Sequence, residues 1–254
     1  MIIRKSAGEI ERIAEAGTLV AETITHVSEQ LAPGVSMVEL DEIADAYIRE
    51  HGGVPTSKGY RGYPAAICIS PNEVIVHGIP NGYRAREGDV VSVDVGVTLA
   101  GFIADSAFTF PVGEVSDEAD RLLVAGEEAL AAGIEHARLG NHVGDISSAI
   151  QRTVEEAGFA VVRQLVGHGV GRSYHEDPHV PNFGRPGSGP RLVEGMTIAI
   201  EPMITAGSHE IVIGDDRWTI STEDGSLAAH FEHTVAVTKA GPRILTTARA
   251  RLLQ

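Results

Sequence analysis

The chain has 254 residues, 43% of them hydrophobic and 22% charged, enough apolar material for a sizeable buried core and a composition that excludes disordered and fibrous classes. Its 35 acidic against 20 basic residues leave a formal net charge of −15, which disfavours generic attraction to nucleic acid or anionic lipid; only the C-terminal tail, with Lys239, Arg243, Arg249 and Arg251, leans basic. The single cysteine, Cys68, excludes an internal disulfide and a cysteine-cluster metal site. No run approaches the roughly 20 apolar residues of a membrane span, and Met1 to Ser6 lack a signal peptide's apolar stretch, so a cytoplasmic protein is expected.

Ser6 and Glu9 form a capping-box pattern, after which Ile10, Ile13, Ala14, Gly17, Val20, Ala21 and Ile24 recur at helical spacing. Ser36 and Glu39 repeat the signal, and Leu40, Ile43, Ala44 and Tyr47 carry a second helix to the stop at Gly52-Gly53. Strands follow over Ala66 to Ile69, Val74 to Val76, Val90 to Val97 and Phe102 to Phe110. Two further helices are expected from Asp117 to about Phe159, then strands ending at Val237, with Gly184 to Pro190 as a loop. This order repeats itself. Shifted by 106 positions, Gly34, Leu40, Ile48, Glu50 and Gly52 meet Gly140, Ile146, Val154, Glu156 and Gly158. The expectation is one α+β domain over residues 1–254, built of two pseudo-symmetric halves at about 1–111 and 112–254.

Val91, Val93, Val95 and Val97 alternate with Ser92, Asp94 and Gly96, so this strand buries its valines on one face and carries Asp94 on the other. Leu99-Ala100-Gly101 turns the chain back along Phe102 to Phe110, which carries Asp105. If Val97 faces Phe102, Asp94 lies opposite Asp105; if Leu99 faces Phe102, Asp94 faces Ala107. Both registers put the two carboxylates on one face, where like charges destabilise a sheet unless something neutralises them. A turn of odd length would instead split them to opposite faces.

Three more segments carry candidate ligands. His168 stands between Gly167 and Gly169, which lets backbone crowd its ring; a phosphate-cradling loop there would need a following lysine or a strand-to-helix turn, and neither follows. The apolar run Met196 to Ile200 ends in Glu201 before Pro202, a costly place for a carboxylate unless it is paired or metal-bound. In His230 to Val237, Glu232 faces away from Phe231, His233, Val235 and Val237, either onto a cation or into water.

Asp94, Asp105 eleven positions later, a histidine between glycines, Ile200-Glu201-Pro202-Met203 and Phe231-Glu232-His233-Thr234 occur in that order, and the chain thereby resembles the methionine aminopeptidases of the bacterial type I class, the peptidase branch of the pita-bread fold. Asn72 to Pro80 and Gly59 to Pro64 also match, so the likeness covers nearly the whole chain. The resemblance implies antiparallel sheets covered by helices and a pair of divalent ions, cobalt, manganese, iron or zinc, for which four carboxylates and one imidazole are suited donors. It implies that Asp105 and Glu232 bridge the metals, that Asp94 completes one, and that His168 with Glu201 completes the other.

The activity implied is removal of an N-terminal methionine, preferentially before a small second residue, with a metal-bridging hydroxide as nucleophile. Glu201 would also handle protons, while His77 and His175 would donate hydrogen bonds to substrate and intermediate. Tyr60, Tyr63, Cys68, Tyr174 and Trp218 match the family's pocket-lining positions, suited to a thioether. Ser57 and Tyr174 depart from the cysteine and phenylalanine that bacterial relatives often carry there. Implied partners are N-terminal methionyl peptides and nascent chains, with a ribosome contact to which the acidic balance gives no physical support. No membrane or specific nucleic acid is expected as a partner, and a monomer is expected. Two other readings stand beside this one: a proline-directed peptidase, whose relatives generally carry a large N-terminal domain, and a non-catalytic pita-bread binding protein, which would lose ligands.

Overall fold

A computed structural model describes residues 1–248, so Arg249 and Arg251 of the basic tail lie outside the described residues. Arg243 is paired with Glu11 (Nη1 to Oε1, 2.5 Å) and Lys239 with Glu194 (3.5 Å), so these two cations are engaged within the fold.

The elements in chain order are helices α1 (Ala7–Ser28) and α2 (Met37–Glu50), then strands β1 (Val54–Pro55), β2 (Cys68–Pro71), β3 (Val74–Val76), β4 (Val90–Leu99) and β5 (Phe102–Pro111). Helices α3 (Asp117–His136) and α4 (Val143–Glu156) follow. After them come β6 (Ala160–Val161), β7 (Val166–Gly169), β8 (Glu176–Pro181), β9 (Thr197–Ile200), β10 (Met203–Thr205), β11 (Ile211–Ile213), β12 (Ile220–Thr222), β13 (Ala228–His230), β14 (Glu232–Thr238) and β15 (Gly241–Ile244). Both expected capping boxes are formed: the Ser6 and Ser36 hydroxyls accept from the amides of Glu9 and Glu39, whose carboxylates accept the serine amides in return. Helices α2 and α4 have 14 residues each and are offset by the same 106 positions as the sequence matches.

The main sheet has nine strands in the order β1-β4-β5-β14-β9-β7-β8, with β2 also on β4 and β15 on β14; every pairing is antiparallel. Smaller three-stranded sheets, β13-β10-β6 and β11-β12-β3, lie beside it. Two cores sit on the helix side. One gathers Ile13, Val20, Leu40 and Ile48 against Val91, Val93, Val95 and Val97, and the other gathers Leu122, Ile146 and Ile150 against Ile198, Ile200, Phe231 and Val235. The four β4 valines are fully buried, worth roughly 1.5–3 kcal/mol each, so they fix which face of the hairpin turns inward. The opposite face is thereby committed to Ser92, Asp94 and Gly96.

The β4–β5 register places Leu99 opposite Phe102 and Asp94 opposite Ala107. Ala100 and Gly101, at φ 49° and 79°, form the two-residue turn that this register requires. Of the two even-turn registers the second is the one adopted, and Asp94 and Asp105 share a face as diagonal neighbours.

Candidate active site

The candidate ligands form one row across five adjacent strands. Ala107 lies opposite Asp94 on β4 and opposite Glu232 on β14, so a methyl group separates those two carboxylates, and Asp105 stands two residues away on the same face of β5. The β14–β9 register pairs His233 with Ile200; continued by one residue, it sets Glu201 against Glu232. His168 on β7 closes the row beside β9, where Gly169 pairs with Ile198. Here the flanking glycines have a plain steric reason, since a Cβ at Gly167 would lie 2.4 Å from the Ala199 carbonyl oxygen and one at Gly169 would lie 2.2 Å from that of Asp177.

Asp105, His168 and Glu232 are buried and each offers a ligand atom within 4.8 Å of the others. His168 Nε2 is 3.9 Å from Asp105 Oδ2 and 3.5 Å from Glu201 Oε1. The His168 Nδ1–H donates to the Gly169 carbonyl at 2.9 Å, which fixes the tautomer and leaves Nε2 as a lone pair facing the carboxylates. Asp94 Oδ1 and Glu232 Oε1 are buried without a hydrogen-bond partner among the described residues. Burial and the Glu201 carboxylate push Asp94 up to about 7, and burial with mutual repulsion pushes Asp105, Glu201 and Glu232 well above the usual carboxylate range. Orphaned oxygens, crowded negative charge and an oriented lone pair all call for cations, so the donor set fits divalent metal.

These residues line a cavity of about 280 Å3, and the other expected positions line it too: His77, His175, Tyr60, Tyr63, Cys68, Tyr174 and Trp218. Tyr63 meets Trp218 edge-on at 5.1 Å, and both pack with Cys68 into an apolar wall. Its hydroxyl donates to the Gly78 carbonyl at 2.8 Å, tying that wall to the residue after His77. His77 follows β3 with φ 57°, a conformation uncommon for a residue with a side chain. His175 stacks on Tyr60 at 5.3 Å and lies 4.1 Å from the His168 ring. Burial lowers His168 to about 3 and His175 to about 4, so both rings are neutral near pH 7.

Tyr174, buried, hydrogen-bonds Ser57 (3.1 Å) and donates to Asp105 Oδ1 (3.5 Å), so the two departures noted in the sequence touch each other. Tyr174 also explains the glycine in the alternating strand: a Cβ at Gly96 would come within 2.4 Å of its hydroxyl. Residues that sequence reasoning did not single out complete the wall, among them Met203, Gln164, Leu165 and His230. His230 ends β13 and Glu232 begins β14 in another sheet, so no strand periodicity in the sequence marks His230 for the cavity.

A model of metallopeptidase family M24 matches residues 11–239. The chain belongs to that family. It is 50% identical over 246 residues to a methionine aminopeptidase of Clostridium perfringens (strain 13 / Type A), covering 97% of this chain and 99% of that one. Methionine aminopeptidase 1 of Bacillus subtilis (strain 168) is 47% identical over 246 residues, with 97% and 99% covered. The crystal structure of methionine aminopeptidase from Rickettsia prowazekii is similar at a TM-score of 0.96 and 39% identity, covering 97% of this chain and 100% of that one. The fold of this M24 member is the pita-bread α+β arrangement, with the row of carboxylates on the inner face of its curled sheet.

Proposed function

We propose that this M24 peptidase removes the N-terminal methionine from peptides and nascent proteins, with a small second residue preferred. The observation that carries the reading is the cavity itself, where Asp94, Asp105, His168, Glu201 and Glu232 meet with buried oxygens unpartnered, beside an apolar wall of Tyr63, Cys68, Met203 and Trp218. Asp105, His168 and Glu232 would hold the ions most closely, with Asp94 and Glu201 completing the two coordination spheres. Two divalent ions bound there would supply Lewis acidity and lower the pKa of water.

The chain's own groups do the rest. Aromatic edges and the thiol at the apolar wall suit a flexible thioether. Neutral His77 and His175 can each donate one ring N–H to the scissile carbonyl oxygen as charge develops on it. Glu201, its carboxyl raised by burial and by Asp105, can accept a proton from water and return it to the leaving amine. The recurrence of α2 and α4 at a fixed offset supports two related halves within one catalytic domain. Action in the cytoplasm on nascent chains, by a monomer that meets the ribosome, follows as part of the same reading. Among the described residues no helix is long and apolar enough to cross a membrane.

The test is hydrolysis of Met-Ala-Ser and of an X-Pro dipeptide, before chelation, after it, and after return of single divalent metals. Metal-restored release of methionine from the tripeptide alone is expected. Preference for the X-Pro dipeptide would move the chain to the proline-directed branch, and inactivity of the folded chain with every metal would favour a binding module.

A further inference from the structure

We infer that His230 is a positioning residue that donates its Nε2–H to Oε2 of Glu201 and thereby holds the other oxygen, Oε1, at the metal-binding cavity. The inference rests on the reading of His168 and Glu201 as metal ligands.

Two imidazoles flank the Glu201 carboxylate: His168 Nε2 is 3.5 Å from Oε1, and His230 Nε2 is 3.6 Å from Oε2. They are not equivalent. His168 has committed its proton to Nδ1, which donates to the Gly169 carbonyl, so its Nε2 can only accept and offers no proton to Oε1. That arrangement is tolerable with a cation between the two atoms. Among the described residues His230 has no partner at Nδ1 and none within hydrogen-bond distance at Nε2, although both atoms are buried. Its proton is therefore free to sit on Nε2, and a shift of a few tenths of an ångström makes the bond to Glu201.

The backbone that carries the ring is also held firmly. The His230 amide donates to Thr109 Oγ1 at 2.8 Å, and that hydroxyl donates to the His230 carbonyl at 2.9 Å. Across the sheet His230 pairs with Met203, and its side chain is 3% exposed. Among the described residues the carboxylate paired with this ring is that of Glu201, and leaving both ring nitrogens unpaired in a dry wall would be costly. Glu201, for its part, lies at the strand end before Pro202, with Asn182 Nδ2 donating to its carbonyl but, among the described residues, with no hydrogen bond to its carboxylate. A metal-bound carboxylate commonly has its free oxygen held by such an outer donor.

The test uses the full chain, cobalt(II) and two variants. Titration followed by the visible bands of bound cobalt reports ligand geometry, and competition with a chelator reports affinity. His230→Leu is expected to weaken binding of one cobalt ion by about tenfold or more and to shift its bands, the usual cost of losing an outer donor. His230→Gln, whose amide can donate in the same direction, restores both. Equal affinity and bands in His230→Leu and wild type overturn the inference while the metal reading stands; a wild-type chain that binds no cobalt overturns both. Independently of the variants' folding, long-range 1H–15N spectra of the metal-free wild type should show His230 as the Nε2–H tautomer and His168 as the Nδ1–H tautomer. An Nδ1–H tautomer at His230 overturns the inference.

Discussion

Two clusters of buried charge in the chain are built on opposite principles. Lys5 and Glu176 form an ion pair with side chains only 2% and 4% exposed. The chain supplies every partner: Arg4 Nε donates to the Glu194 carbonyl (2.8 Å) and the Lys5 amide to that of Gly195 (2.7 Å), fixing the N-terminal strap that delivers the ammonium. Glu176 Oε1 also accepts the amides of Arg172 (2.9 Å) and Ser173 (3.1 Å), which shapes the loop bearing Tyr174 and His175. In the cavity, Asp94, Asp105, Glu201 and Glu232 converge with, among the described residues, no lysine or arginine paired with them, and two of their oxygens have no partner there. Where a buried carboxylate serves architecture the fold brings its own countercharge. In the cavity, on the proposed reading, the countercharge is left to be bound.

The largest effect that separates the two clusters is expected from Asp105→Asn. It removes one of the three closest donors, so metal binding and methionine release should fall by well over 100-fold, more than the loss of an outer-shell partner costs. The metal-free variant should nonetheless melt no lower than the metal-free parent, because a buried carboxyl whose ionisation is penalised has gone. Elemental analysis and thermal melts measure both, and retention of two metals per chain would falsify the bridging role assigned to Asp105.

The opposite signature is expected at the paired cluster. Lys5→Met leaves Glu176 charged, buried and uncompensated, a change that costs about 3–5 kcal/mol. In a chain of this size that is a fall in Tm of roughly 6–20 °C, at about 2–4 °C per kcal/mol. Saturating metal should raise the Tm of parent and variant by the same amount, and Lys5→Met combined with Glu176→Gln should cost less than Lys5→Met alone. A loss too small to measure would remove the contrast.

Local signals made much of this legible beforehand. The two capping boxes gave the starts of α1 and α2, and the valine alternation gave the buried face of β4, so Asp94 could be set on the face opposite the valines from sequence alone. The register of the hairpin could not be chosen, because the two-residue turn places Ala100 at positive φ, where a glycine or asparagine would have marked it. Distant contacts hid the rest. The strand expected from Ala66 begins at Cys68 because the amides of Ala66 and Ile67 are taken by Asp41 Oδ1 at 2.9 and 3.0 Å. The run His230 to Val237, read as one strand, breaks at Phe231, whose amide bonds the Pro202 carbonyl, so His230 belongs to β13 and a different sheet. That switch turns His230 toward Glu201, and nothing within the run itself announces it.

The smallest effect sharpens the comparison through pH. Burial and mutual repulsion raise the cavity carboxylates, Asp94 to about 7, so between the ordinary carboxylate value and their folded values the folded chain binds more protons than the unfolded one. Their contribution to stability is therefore complete at low pH and lost as pH rises through the folded values, by about 1.4 kcal/mol per pH unit for each proton involved. The buried histidines act in the other direction: His168 and His230 at about 3 and His175 at about 4 bind fewer protons folded than unfolded, which adds stability as pH rises, but only up to the ordinary histidine value of 6.5. The two effects oppose each other below that value, and the carboxylates act alone above it. From pH 6.5 to 8 the metal-free chain should thus lose stability while the metal-loaded chain gains it, since ligands must be deprotonated to bind. The gap between the two Tm values should widen across that window in scanning calorimetry, and Asp94→Asn should flatten the metal-free slope. A metal-free Tm that climbs from pH 6.5 to 8, or a slope unchanged by Asp94→Asn, would mean that the cavity carboxylates are neutralised from within the chain, as Glu176 is by Lys5.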